Sequence, residues 1–408
     1  MVPEGCGAAH DQAVIWDGGI GRQGLSGRPP KLLVVKLADL GDALTATPAL
    51  RALRYTWPLA NIDVLTTSAG AAALGGLDSV DRLWVADKHQ FDSPSGLLTP
   101  SALTSLAPLL AQLRRERYHQ LLLLHHLTTP FGTLKYAALA AAIHARRTVG
   151  LDNGRGRFLD TQVPDSGFGD LHEVDYALAV ASAAGANRLE QPRLEIAIDE
   201  VSQQRADELL ACPRPRRGPA SPLPPRRERA REREASWIAV HAGGGAYSLA
   251  RRWPAECFAE VGRRLATSTG AKLVLVGTDT DREPHQTLIR LLGDEALDLT
   301  GQTTVKETAA VLRRCRLLVA NDSGAVHLAA AAGTPVVAIF GPSNDRAWGP
   351  YPAAEHRVVR ASLPCSPCFY RVKGLGTPQG CPTRDCLKLV TPDMVLAAAQ
   401  ELLAAAPA

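Results

Sequence analysis

Two strand-to-helix corners carry the residue types in this chain best suited to chemistry. The first is Gly41-Asp42, inside the run KLLVVKLADLGDALTATPAL that starts at Lys31. LLVV is a short β-rich run. The text from Ala43 onward has helical spacing, with Leu44, Leu50 and Leu53 as candidate inward positions. Asp42 therefore stands where a strand turns into a helix. In open α/β sheets ligands bind at that edge, so a carboxylate there stands where a ligand would lie. Asp42 can also be read as a helix cap, but Asp39 would serve nearly as well, and two acids in one turn exceed what capping requires.

The second corner is Asn321-Asp-Ser-Gly-Ala-Val-His327. The apolar run from Cys315 to Asp322 reads as a buried strand. Ser323 and Gly324 open an Ala-rich helix, and Thr334 to Gly341 reads as the next strand. The first amides of such a helix have no internal partner, and the helix dipole adds partial positive charge, so the corner suits a phosphate or diphosphate. An ordinary βαβ crossover with a Ser cap is the alternative. A third element supports the anion reading. After the strand ending at His241 come Gly243 and Gly244, then Arg251 and Arg252. Glycines let backbone amides approach a ligand closely, and paired arginines can clamp a diphosphate.

Other constellations are weaker. Asp279-Thr-Asp281 spells DxD, yet it follows a strand and enters a helix, where capping explains it better than a metal. Cys365, Cys368, Cys381 and Cys386 form CxxC-x12-CxxxxC, a set that could hold a structural zinc or simply pack a loop as reduced thiols. No catalytic metal and no cofactor are expected. His172 and Glu173 open a helix and read equally as a solvated start or as a cleft element.

The elements that must position these residues follow a βαβα rhythm. Strands are predicted at 31–36, 61–66, 81–86, 120–124 and 147–150, with helices at 43–56, 101–117, 132–145 and 173–185. The second half repeats the pattern with strands at 237–241, 272–276, 297–299, 316–320 and 335–340. Its helices are predicted at 254–268, 282–292, 305–314 and 324–332. The rhythm implies parallel sheets covered on both faces. At 408 residues the chain should hold at least two domains. The reading is a disordered extension at 1–30, one α/β domain at 31–210, a linker at 211–235, a second α/β domain at 236–390, and a C-terminal helix at 391–408. Between Cys212 and Ala235 lie eight Arg, three Glu and six Pro with no periodic apolar face, an exposed basic joint that could touch anionic lipid. That segment accounts for the net charge of +4, so nucleic-acid binding by the folded parts is not indicated. No signal peptide or membrane-spanning run is apparent, and the expected place is the cytoplasm; a solvated linker is the favoured reading of the basic joint, with contact at the inner face of the cell membrane as the alternative.

Together KLADLGDALTATPAL, VGLDNGRGRF, HAGGGAYSLARRWP, GTDTDRE, LTGQTTVKETAAVLRRCRLLVANDSGAVHLAAAAGTPVVAIFGPS and CSPCF resemble glycosyltransferase family 9, which includes the ADP-heptose:lipopolysaccharide heptosyltransferases. The resemblance spans roughly 31–400. It implies the GT-B architecture, two Rossmann-like domains facing across a cleft, with an acceptor domain first and a nucleotide-sugar domain second. It implies an inverting, metal-independent transfer from a nucleotide-sugar, ADP-heptose by family default, onto a saccharide or lipid-linked acceptor, as in lipopolysaccharide core synthesis. Asp42 matches the general base, with Lys36, Asp39 and Gly41 on the acceptor side. Gly243, Gly244, Arg251, Arg252, Asp322, Ser323, Gly324 and His327 match donor-side positions. The chain departs from the family at Ala38-Asp39, where two Ser are usual, at Ala242, where Pro is frequent, and in the Arg/Pro insertion. A GT-B sugar-nucleotide epimerase and a non-catalytic nucleotide-sugar binding module are the competing readings. A nicotinamide dehydrogenase is disfavoured, since no G-x-G-x-x-G follows the first strand.

Overall fold

The computed structural model describes residues 29–86, 100–167, 169–211, 236–245, 248–369 and 380–405. All but the last two residues of the expected extension at 1–30, and all but Ala211 of the Arg/Pro linker, lie outside the described residues.

Six strands form the first sheet: β1 (Lys31–Lys36), β2 (Asn61–Thr66), β3 (Arg82–Val85), β4 (Gln120–Leu123), β5 (Arg147–Asp152) and β6 (Thr161–Pro164). Every pairing is parallel, in the order β3-β2-β1-β4-β5-β6. The second sheet holds β7 (Trp237–His241), β8 (Lys272–Leu275), β9 (Ala296–Asp298), β10 (Cys315–Asn321), β11 (Val336–Ile339) and β12 (Arg357–Val359). It too is all parallel, in the order β12-β11-β10-β7-β8-β9. The two orders are the same doubly wound pattern. Central strands are buried on both faces, which is why they read as unbroken apolar runs. In each sheet the chain changes winding direction beside its first strand. Crevices therefore open at the carboxyl ends of β1 and β4, and of β7 and β10.

Around the first sheet lie α1 (Leu40–Leu44), α2 (Thr47–Thr56), α3 (Ser68–Leu74), α4 (Pro100–Glu116), α5 (Pro130–Ile143), α6 (Glu173–Ala183) and α7 (Glu200–Ala211). The second half carries α8 (Ala255–Thr269), α9 (Arg282–Leu292), α10 (Val305–Arg313), α11 (Gly324–Ala332), α12 (Asp345–Trp348), α13 (Asp385–Lys388) and α14 (Pro392–Ala405). The helix predicted over 43–56 is two. Pro48 has no N–H and disfavours helical geometry before it, and the Thr47 hydroxyl donates to the Leu44 carbonyl at 2.8 Å across the break.

The halves are joined by packing as well as by chain. α1 lies on α11, and α7 on α10. Leu44, Leu50 and Ala73 share one buried cluster with Ala309, Leu312, Val326 and Ala329. Arg314 ties α7 through Asp207 at 2.5 Å, and Lys306 reaches Asp199 at 3.3 Å. α14 folds back over the second sheet, burying Val395, Leu396, Ala399 and Leu402 beside Trp253 and Phe258. Among the described residues no helix is long and apolar enough to cross a membrane.

Candidate active site

The two corners singled out by residue type touch each other. A Cβ built on Gly41 would lie 2.8 Å from His327 Cδ2 and 3.3 Å from the Gly324 Cα. A Cβ on Gly324 would lie 3.6 Å from the Gly41 nitrogen. Asp42 thus follows directly on the residue that abuts the Ser323–Gly324 turn. It sits half-buried in the first turn of α1. Asp39 is exposed and occupies the N-cap position without a side-chain cap bond.

On the second corner, Ser323 caps α11 in extended backbone geometry. Its hydroxyl is buried, and so is Nδ1 of His327; neither finds a partner among the described residues. Burial drives the His327 imidazole down to about 3, with His172 and His356 adding to the effect, so it is neutral. Arg251 connects three pieces of the site. Its Nη2 donates to the Gly244 carbonyl at 2.7 Å, its Nη1 reaches Asp322 Oδ2 at 3.3 Å, and its Nε is buried without a partner among the described residues. Arg252 is engaged differently. It pairs with Glu283 at 2.8 Å and reaches the Thr280 carbonyl at 3.4 Å, away from Asp322.

The glycine loop is shaped by what lies beneath it. A Cβ on Gly243 would fall 2.0 Å from Asp281 Oδ1, so only glycine fits. Asp281 reaches back over its own turn, accepting from the Thr278 amide at 2.9 Å, in a capping box whose N-cap is Thr278, as the DxD spacing suggested. Asn321 Nδ2 donates to the Ala242 and Gly243 carbonyls at 2.8 and 3.0 Å, and Asn321 Oδ1 accepts from the Trp253 amide at 3.0 Å. Sequence reasoning passed over Asn321 as a site residue, although it begins the very motif that marks the corner. Ser343 was passed over too. It is buried after β11, with a hydroxyl that finds no partner among the described residues.

Beside the carboxyl end of β4 lies a buried charge cluster. His126 lies between Asp165 at 2.9 Å and Glu173 at 3.0 Å, and Lys36 Nζ is 4.0 Å from Glu173. Burial opposes charge on His126, yet the hydrogen bonds to Asp165 and Glu173 outweigh it and raise the imidazole to about 9. Burial likewise opposes the charge of both carboxylates, and bonding to His126 holds them below their ordinary range. His126 is therefore an imidazolium between two carboxylates. The adjacent His172 accepts from the Val174 amide at 3.1 Å through Nδ1 and donates from Nε2 to the Gly349 carbonyl at 2.9 Å. It is thus not a solvated helix start but a bridge between the two halves at the start of α6.

All four cysteines of the predicted cluster are free thiols, with Cys365 exposed and Cys386 buried. Among the described residues no three His, Cys, Asp or Glu side chains are disposed to hold a metal ion.

A family model for glycosyltransferase family 9 (heptosyltransferase) matches residues 107–377. Lipopolysaccharide heptosyltransferase 2 of Salmonella typhimurium is 30% identical over 164 residues, which is 39% of this chain and 45% of that protein. The chain spans about half the length of that curated relative. A solved glycosyltransferase family 9 structure from Veillonella parvula superimposes with a TM-score of 0.70 at 25% identity, covering 92% of this chain and 98% of its own. The E. coli ADP-heptose lps heptosyltransferase II structure gives 0.66 at 21% identity, covering 92% and 98%. The two doubly wound sheets facing across their switch points form the GT-B architecture.

Proposed function

We propose that this chain, which belongs to glycosyltransferase family 9 (heptosyltransferase), moves a sugar from a nucleotide-activated donor onto a saccharide or glycolipid acceptor in the cleft between its sheets. The donor is an ADP-sugar, with ADP-heptose as the family default, and the acceptor belongs to lipopolysaccharide core synthesis. The transfer inverts the anomeric carbon and uses no metal. The observation that carries this reading is the contact of Gly41 with Gly324 and His327, which sets Asp42 beside the Asp322–Ser323–Gly324 corner.

The chemistry follows from those positions. Asp42 takes the proton of an acceptor hydroxyl as that oxygen attacks the anomeric carbon from the face opposite the leaving group. The bond from that carbon to the diphosphate oxygen breaks, and the nucleoside diphosphate departs with its charge. The opening amides of α11 and the Arg251 guanidinium supply fixed positive potential for that charge, the role a divalent cation would otherwise fill. Asp322 faces the developing positive charge of the sugar or holds its hydroxyls. Its contact with Arg251 keeps it from repelling the diphosphate. Lys36, Asp39 and Gly41 lie on the side from which the acceptor arrives.

The test is Asp42→Ala, assayed as acceptor-dependent release of ADP and as ADP affinity. Transfer is expected to fall by roughly 10²–10⁴-fold, with ADP binding nearly unchanged. Unaltered turnover would remove Asp42 from the mechanism. Conversion of the ADP-sugar into an isomer with no ADP released would point instead to a nucleotide-sugar epimerase.

A further inference from the structure

We propose that His285, on α9 and remote in sequence from either corner, is a positioning residue that presets the glycine loop for the donor diphosphate. The inference rests on the transferase reading above. The Ala242 amide, first residue after β7, donates to His285 Nε2 at 3.1 Å. His285 Nδ1 is 2.6 Å from Thr300 Oγ1, and the Thr300 hydroxyl and amide both meet Asp298 Oδ1, at 2.5 and 3.0 Å. A hydroxyl has one proton, and this one goes to the carboxylate. The Thr300 oxygen must therefore accept from Nδ1–H, which leaves Nε2 bare for the Ala242 amide. The chain Ala242–His285–Thr300–Asp298 closes only with His285 neutral and protonated on Nδ1. His285 is 1% and Thr300 2% exposed, so water offers no substitute.

The consequence lies in the loop. Asn321 takes the carbonyls of Ala242 and Gly243, and Arg251 takes that of Gly244. His285 takes the Ala242 amide. Three carbonyls and one amide are thus turned into the protein, while the amides of Gly243 and Gly244 find no partner among the described residues. Consecutive open amides with their carbonyls tied back make an anion-facing concavity. Without His285 the Ala242 amide would be buried and unpaired, and the loop could turn to satisfy it. Burial, reinforced by His241, holds the imidazole down to about 4 against the pull of Asp281 and Asp298; Arg252 works in the same direction as burial. The neutral form therefore persists through ordinary working pH.

The experiment compares wild type, His285→Phe and His285→Gln by calorimetric titration with ADP at pH 7.5, alongside thermal unfolding and turnover. Phe puts a somewhat larger ring in place of the imidazole and removes both nitrogens; the Gln amide oxygen can reach the place of Nε2. H285F should weaken ADP roughly tenfold and raise donor KM in step with little loss of kcat, and H285Q should recover most of the affinity. Equal ADP affinity in wild type and H285F overturns the positioning role and leaves the transferase reading intact. If wild type binds none of ADP, GDP and UDP, both fall together. Should H285F not fold, the wild-type protein still decides: long-range ¹H–¹⁵N correlations must show His285 protonated on Nδ1, and the Nε2–H tautomer would refute the chain of bonds.

Discussion

Gly41→Ala adds one methyl group where the two halves of the site meet. The new Cβ would lie 2.8 Å from His327 Cδ2 and 3.3 Å from the Gly324 Cα. Carbon atoms rest comfortably at about 3.5–4.0 Å, so something must yield by about an ångström. His327 is 4% exposed and cannot swing away, and the Gly324 Cα belongs to the start of α11. Relief must come from the two corners moving apart. Overpacking of this kind costs about 1–3 kcal/mol. Gly41 lies within α1, however, where Ala is favoured over Gly by about 1 kcal/mol. The two effects nearly cancel in stability, and the melting temperature should move by only a few degrees. Catalysis has no such compensation. Asp42, the proposed base, is the next residue, and a displacement of about 1 Å in a catalytic group costs about 10²-fold. The expected result is a kcat about a hundredfold lower in a protein that melts almost as wild type, measured by acceptor-dependent ADP release and calorimetry. Wild-type kcat in Gly41→Ala would refute the claim that this contact sets the catalytic geometry.

Two further outcomes follow from ionisation. His126 has a native value raised from 6.5 to about 9, so its contribution is fully present below pH 6.5 and is lost as pH climbs through 9. The shift corresponds to about 3 kcal/mol, and His126→Gln should flatten the decline of denaturant midpoint between pH 7 and 9.5; an unchanged slope would mean that the imidazolium does not stabilise the fold. Among the thiols, the Arg384 amide at 3.3 Å lowers Cys381, whereas burial raises Cys386 to about 11 and pushes buried Cys315 higher still. Timed iodoacetamide labelling of the native protein with peptide mapping should therefore modify Cys381 well before Cys386 and Cys315, and early labelling of Cys315 would contradict its burial.

Much of the architecture was legible because parallel strands between helix layers must be apolar along their buried length, as LLVV in β1 and LLVA in β10 are. The elements that escaped notice lack that signature. β6 and β12 are edge strands of four and three residues. α7 buries only Ser202, Ala206 and Leu210, a stripe too narrow and too small to register as an apolar face. The residues of each corner were likewise visible locally: an acid after β1, small residues and an open helix start after β10. Their meeting was not, because no local pattern relates Gly41 to His327.

The meeting nevertheless has a physical cause that the repeated βαβα rhythm contains. Both halves adopt the same strand order, so each has one switch point, and only there do loops on either side part to leave a crevice. The residues that follow β1, β4, β7 and β10 are the ones such a topology exposes to a shared ligand, and these carry Asp42, His126, Gly243 and Asp322. Supporting residues obey a different rule. His285 and Asn321 act by binding backbone groups, and a backbone amide or carbonyl has no identity in the sequence. Any buried residue with the right nitrogen or oxygen within reach can do it, whatever its distance along the chain. Candidate residues at a switch point can therefore be picked out by type, whereas the bonds that hold a loop in shape require the fold.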